Sequence, residues 1–232
     1  VYCMDDAYFR TDRFGNQPIG KHRWRFLCES LRHLDDELLA LGQTVNILRG
    51  DPNAAVATLL KAGRFDRAIR AKQHTYRGPD PWDRLQTDFP DIRFDEFDVS
   101  TLFSCKDLNF EHAFPNTFSQ FKKAVGTLTY RNFLPSPDRL PTSLIELEHN
   151  QLETSGPPGK RTGGATAADL HLTAYFGGKA ASTYKDTRNN LSGEDSSTGF
   201  SPWLANGSLS PLQAVKQLRH YEATYGANNS TG

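Results

Sequence analysis

Apolar residues in this chain recur first at helical and then at strand spacing. Leu27, Leu31, Leu34, Leu38 and Leu41 fall at steps of four, three, four and three, one stripe of a helix predicted over 21–41. Gly42 follows in the usual place for a helix stop. A β-favouring Val1-Tyr2-Cys3 start precedes this helix, separated from it by a polar loop at 11–20 that is rich in glycine and proline. After it, TVNILR (44–49) reads as a strand and Gly50-Asp51-Pro52 as a turn and helix start. Residues 54–62 then read as a short helix closed by Gly63, and 66–71 as a weaker strand. Ile92, Phe94 and Phe97 alternate with charges and predict a strand over 92–99. Strands alternating with helices imply an α/β fold with a Rossmann-like parallel sheet, whose ligands sit beyond the carboxyl ends of the strands.

Past Pro115 the pattern changes. Phe118, Phe121 and Val125 form one more helical stripe, and 133–161 is a polar stretch holding Pro135, Pro137, Pro141, Pro157 and Pro158. Structureless stretches of that length usually separate domains. Helical spacing returns at 165–176 and at 210–225, where Leu212, Val215, Leu218 and Tyr221 share a face. The expected organisation is an α/β domain over 1–125, a connector over 126–162 and the start of an all-α domain over 163–232.

Composition narrows the function classes. The 232 residues carry 27 Lys plus Arg and 27 Asp plus Glu, a formal net charge of zero that offers no general affinity for nucleic acid. Cys3, Cys28 and Cys105 are an odd number without C-x-x-C spacing, which points to a reducing compartment rather than to disulfides or zinc. The seven histidines (His22, His33, His74, His112, His149, His171 and His220) show no metal-ligand spacing, so no metal site is expected. Asp35-Asp36-Glu37 reads as a solvated helix face, and the Gly20-Lys21 and Gly178-Lys179 pairs lack the rest of a phosphate-binding loop. The opening VYCMDDAYF reads as a strand and its exit rather than a targeting segment, and no apolar run reaches membrane-spanning length. A soluble intracellular monomer without membrane contact is the expectation.

The chemistry concentrates in 184–211. Tyr184 and Arg188 lie four apart, on one face if the segment is helical. Ser197, Thr198, Gly199, Phe200 and Ser201 place hydroxyls and backbone amides just ahead of Pro202-Trp203, and Ser201-Pro202 reads as an N-cap followed by the first helical residue. Unpaired donors at a helix start attract anions, and a phosphate-bearing ligand is the natural guest. YKDTRN (184–189), SSTGFSPWLA (196–205) and GSLSP (207–211) together resemble the first flavin-binding segment of the photolyase/cryptochrome family, in its DASH branch. Further resemblances run in order along nearly the whole chain: VYCMD (1–5), RFLCESL (25–31), FPNTFSQFKK (114–123), GGATAA (163–168) and AYFGGK (174–179). Gly199 stands where the branch has lysine, Ser196 where it has tyrosine, and Asn206 and Ser208 where leucine and cysteine are usual.

The resemblance implies FAD as cofactor, contacted by Tyr184 and by Ser197, Thr198, Gly199, Phe200 and Ser201, with Arg188 touching DNA phosphate and Trp203 buried. It also implies a folate antenna, 5,10-methenyltetrahydrofolate, at Gln73. The chain corresponds to the family from its second strand to the opening of its flavin-enclosing helices, so it reads as a fragment. Three functions remain open: light-driven repair of pyrimidine dimers in DNA, blue-light signalling without repair, and an inactive piece. A mean hydropathy of −0.60 with 37% hydrophobic residues is lean for two packed half-domains and favours low stability and poor flavin retention.

Overall fold

The computed structural model describes residues 1–72, 80–104, 106–108, 110, 114–126, 128–142, 152, 159–193 and 196–226. Two compact units divide the chain: Val1–Glu96 with Ser136–Leu170, and Phe97–Pro135 with His171–Gly232.

In the first unit, strand β1 (Tyr2–Asp5) leads to helix α1 (Lys21–Ala40) and then to strand β2 (Ile47–Gly50), which pairs parallel to β1 with Tyr2 opposite Ile47. Met4, Cys28, Leu31, Val45, Ile47 and Leu152 form the buried core, with Tyr2, Trp24, Leu27 and Leu38 packed against it. The buried stripe of α1 thus departs from the expected leucine row. Leu34 is 44% exposed, and Asp35 takes the inward position between Leu31 and Leu38. Its Oδ1 accepts from Thr44 Oγ1 (2.6 Å) and from the Val45 N–H (2.8 Å), tying the helix to the segment that enters β2. Asp35 is therefore half-buried and structural rather than part of a solvated face. Gly42 closes α1 at φ +81°, where an L side chain would be strained.

Asp51 caps helix α2 (Pro52–Ala62) by accepting from the Ala54 N–H at 2.9 Å, with Pro52 in the first turn and Gly63 at the end. Strand β3 (Arg67–Ala71) pairs with strand β4 (Arg93–Phe97) in a second two-stranded sheet. Between them lies helix α3 (Pro81–Asp88), which the periodicity did not reveal. Its two buried residues, Trp82 and Leu85, are too few to make a stripe, and Asp80-Pro81 supplies the start, with Asp80 accepting from the Trp82 N–H. Arg70 on β3 pairs with Asp80 and Glu96 and lies 4.6 Å over the Trp82 ring.

Residues 126–162 contain no helix or strand among the described residues. Leu152 is buried in the core and its carbonyl accepts from Arg32. Gly163 and Gly164 then press on α1. The Gly163 N–H donates to Glu29 Oε2 at 2.9 Å, the Gly164 N–H donates to Ser30 Oγ at 3.1 Å, and Thr166 approaches His33 Nε2. A Cβ on Gly163 would sit 2.2 Å from the Phe26 carbonyl oxygen, so only glycine fits. Helix α5 (Ala165–Gly177) starts here, and the division between the units falls within it.

The second unit holds helix α4 (Phe118–Val125), capped by Thr117, the remainder of α5, and helices α6 (Ala180–Thr187), α7 (Ser201–Asn206) and α8 (Pro211–Tyr225). Ser210 and Gln213 cap α8 reciprocally: the Gln213 N–H donates to Ser210 Oγ (3.1 Å) and the Ser210 N–H to Gln213 Oε1 (2.7 Å). Among the described residues no helix is long and apolar enough to cross a membrane.

Candidate cofactor-binding site

Helix α6 brings Tyr184 and Arg188 to one face. The Arg188 N–H donates to the Tyr184 carbonyl at 2.9 Å, continuing the helical ladder, with Tyr184 half-buried and Arg188 exposed. The Tyr184 and Arg188 pairing expected from spacing thus has a helix beneath it.

The 196–200 segment is held from inside the same unit. Phe200 is buried against His171 (ring centroids 5.6 Å apart), Tyr175 (5.4 Å) and Phe176 (6.2 Å). Trp203, 2% exposed, lies 5.1 Å from His171, the structural position expected for it. Phe176 continues the aromatic cluster to Tyr221 at 5.8 Å. Edge-to-face and tilted pairs of this kind add to the burial itself. With the Phe200 ring facing inward, Ser197 and Ser201 are exposed and Thr198 and Gly199 half-buried. Gly199 has φ +64°, the left-handed region that glycine enters without strain.

Ser201 differs from its expected role. It is the first residue of α7, not the cap, because Phe200 already has helical angles (φ −76°, ψ −16°) and its carbonyl accepts from Trp203 at 3.2 Å and Leu204 at 3.1 Å. No side chain caps this helix. Gly207 ends it at φ +81°, and the Leu209 N–H donates to the Trp203 carbonyl at 3.2 Å before α8 begins.

One residue of the site escaped the sequence reading. His171 Nε2 lies 2.8 Å from the Thr198 carbonyl oxygen, which can only accept, so the ring donates its Nε2–H. The available signal was its place on the inward face of α5 among Ala168, Leu172 and Tyr175. Gln73, the antenna position, lies outside the described residues. Nowhere among the described residues do three or more His, Cys, Asp or Glu side chains gather to hold a metal ion.

The family follows from the sequence itself: the chain belongs to the DNA photolyase family, whose model matches residues 1–141. Its relatives narrow the branch. It is 37% identical to the cryptochrome DASH of Idiomarina loihiensis, across 99% of this chain and 52% of that protein. It is 33% identical to the cryptochrome DASH of Xenopus laevis, across 100% of this chain and 48% of that protein. The solved Synechocystis cryptochrome superposes with a TM-score of 0.86 at 28% identity, covering 99% of this chain and 51% of the other. The chain spans about half the length of the curated relatives it matches.

Proposed function

We propose that the whole protein is a blue-light-dependent FAD flavoprotein of the cryptochrome DASH type that repairs cyclobutane pyrimidine dimers, mainly in single-stranded DNA. In this reading 1–125 is the antenna domain, 126–162 the connector and 163–232 the opening of the helical FAD-binding domain. The observation that carries it is the arrangement of 197–201, with the Phe200 ring buried and the Ser197 and Ser201 side chains exposed.

The residues present suit a dinucleotide cofactor. The segment over 196–201 offers three serines and a threonine, and hydroxyls and backbone N–H groups are the usual donors to a diphosphate. FAD, when bound, supplies the light-excited electron donor, while the protein supplies binding, orientation and electrostatics. Ser197, Thr198 and Ser201 donate to phosphate and ribityl oxygens. Gly199 lets the backbone come close, and Phe200 anchors the segment. Tyr184 offers a phenol and a ring edge to the cofactor. Arg188, one helical turn further on the same face, contacts DNA phosphate, which positions the strand without reading its sequence. A dimer in single-stranded DNA is extruded at least cost, since no partner strand must be given up. A folate antenna at Gln73 belongs to the same reading, the amide being able to hydrogen-bond a pterin ring.

The test is blue illumination of the FAD-loaded protein with a single-stranded oligonucleotide carrying one dimer. Repair that requires both light and flavin supports the proposal. Light-dependent binding of a protein partner with the dimer left intact would replace it with a photoreceptor.

A further inference from the structure

We propose that His171 is a positioning residue for the cofactor segment, setting the orientation of the peptide plane between Thr198 and Gly199; its bearing on cofactor affinity rests on the flavin reading above. The His171 Nε2–H holds the Thr198 carbonyl at 2.8 Å. In a planar trans peptide the carbonyl and the following N–H point in opposite directions. Drawing the Thr198 oxygen toward the ring therefore turns the Gly199 N–H the other way, where it meets the exposed Ser197 side chain at 3.3 Å. Gly199 at φ +64° is the backbone conformation that this orientation demands, and glycine supplies it.

The ring is itself clamped. Phe200 meets it nearly edge-on at 85° and Trp203 lies across it at 32°, so its donor cannot wander from the carbonyl. His171 thus joins the buried aromatic cluster to the exposed donors: the cluster fixes the ring, and the ring fixes the peptide.

Two variants separate this role from simple packing. His171→Phe keeps a ring between Phe200 and Trp203 and removes the donor, whereas His171→Gln keeps an N–H at similar reach and removes the ring. Amide exchange at Gly199 and FAD affinity by flavin fluorescence are measured for each, with thermal melting as the control for folding. The expected result is about tenfold faster exchange and about tenfold weaker FAD binding in His171→Phe, the loss of one ordinary hydrogen bond, with His171→Gln within about threefold of the native protein in both. The reverse order, Phe tolerated and Gln impaired, would overturn the proposal and leave His171 a packing residue. Should no form bind FAD, the flavin reading fails by itself, and the exchange rates still decide whether His171 orients the peptide.

Discussion

Gly163→Ala is expected to be among the most damaging conservative changes in this protein. The added Cβ would lie 2.2 Å from the Phe26 carbonyl oxygen, 2.5 Å from Ser30 Oγ and 2.7 Å from the Ser30 nitrogen. Two of these are backbone atoms of α1 and cannot rotate aside. Reaching ordinary contact requires 163–164 to back away from α1 by about 1 Å, the difference between these separations and van der Waals distance. That retreat stretches the 2.9 Å bond from Gly163 to Glu29 and the 3.1 Å bond from Gly164 to Ser30 beyond useful length. Overpacking costs about 1–3 kcal/mol and each lost hydrogen bond about 1 kcal/mol, so the expected destabilisation is about 3–5 kcal/mol, a large share of a typical domain's total. Urea unfolding followed by far-ultraviolet circular dichroism measures it. Gly177→Ala is the control: it lies at the end of α5, and a Cβ there meets nothing within 4 Å, so its effect should stay within about 0.5 kcal/mol. A Gly163→Ala midpoint indistinguishable from this control, with an unchanged slope, would refute the close approach of 163–164 to α1.

Burial pushes the Cys28 thiol from its ordinary 9.0 up to about 11, and the side chain is 0% exposed. The neutral form is favoured in the fold, so its contribution is complete below pH 9.0 and is lost as pH rises to about 11. The loss is about 2–3 kcal/mol at 1.36 kcal/mol per pH unit, and pH-dependent denaturation should show a shallower decline in Cys28→Ala. Replacing Asp35 with alanine leaves the Thr44 hydroxyl and Val45 N–H without their carboxylate, an expected cost of about 1–3 kcal/mol by urea unfolding, against about 0.5 kcal/mol or less for exposed Asp36. Removing the α8 cap with Ser210→Ala should cost about 1 kcal/mol, read as a lower melting temperature.

Elements with local signals were legible in the sequence. Asp51-Pro52 announced α2, Gly42 and Gly63 closed the helices before them, and Ser210-Pro211 opened α8. The parallel α/β character followed from the same alternation, which β1 and β2 bear out. What escaped depended on contacts between distant segments. The spacing of α1 matched a leucine row, but Asp35 turned inward because Thr44 and Val45 arrive there with donors to satisfy. Helix α3 carries too little apolar surface to register as a period and draws on Phe94 of β4, 4.9 Å from Trp82. Ser201 looked like a cap on local grounds, yet burial of Phe200 in the aromatic cluster brings the helix start one residue forward. At the site, the hydroxyl-rich run was visible as a motif, whereas His171 lies 27 positions from Thr198 and only folding brings its donor to that carbonyl.

The flavin content of the purified chain tests the central claim most directly. Absorbance in the blue, followed by release and quantitation of FAD on denaturation, should show FAD retained by the native chain and lowered in a Ser197→Ala, Ser201→Ala double variant that still melts cooperatively. FAD held equally well by the native chain and by the double variant would contradict the account, because the hydroxyls of 197–201 would then contribute nothing to holding the cofactor.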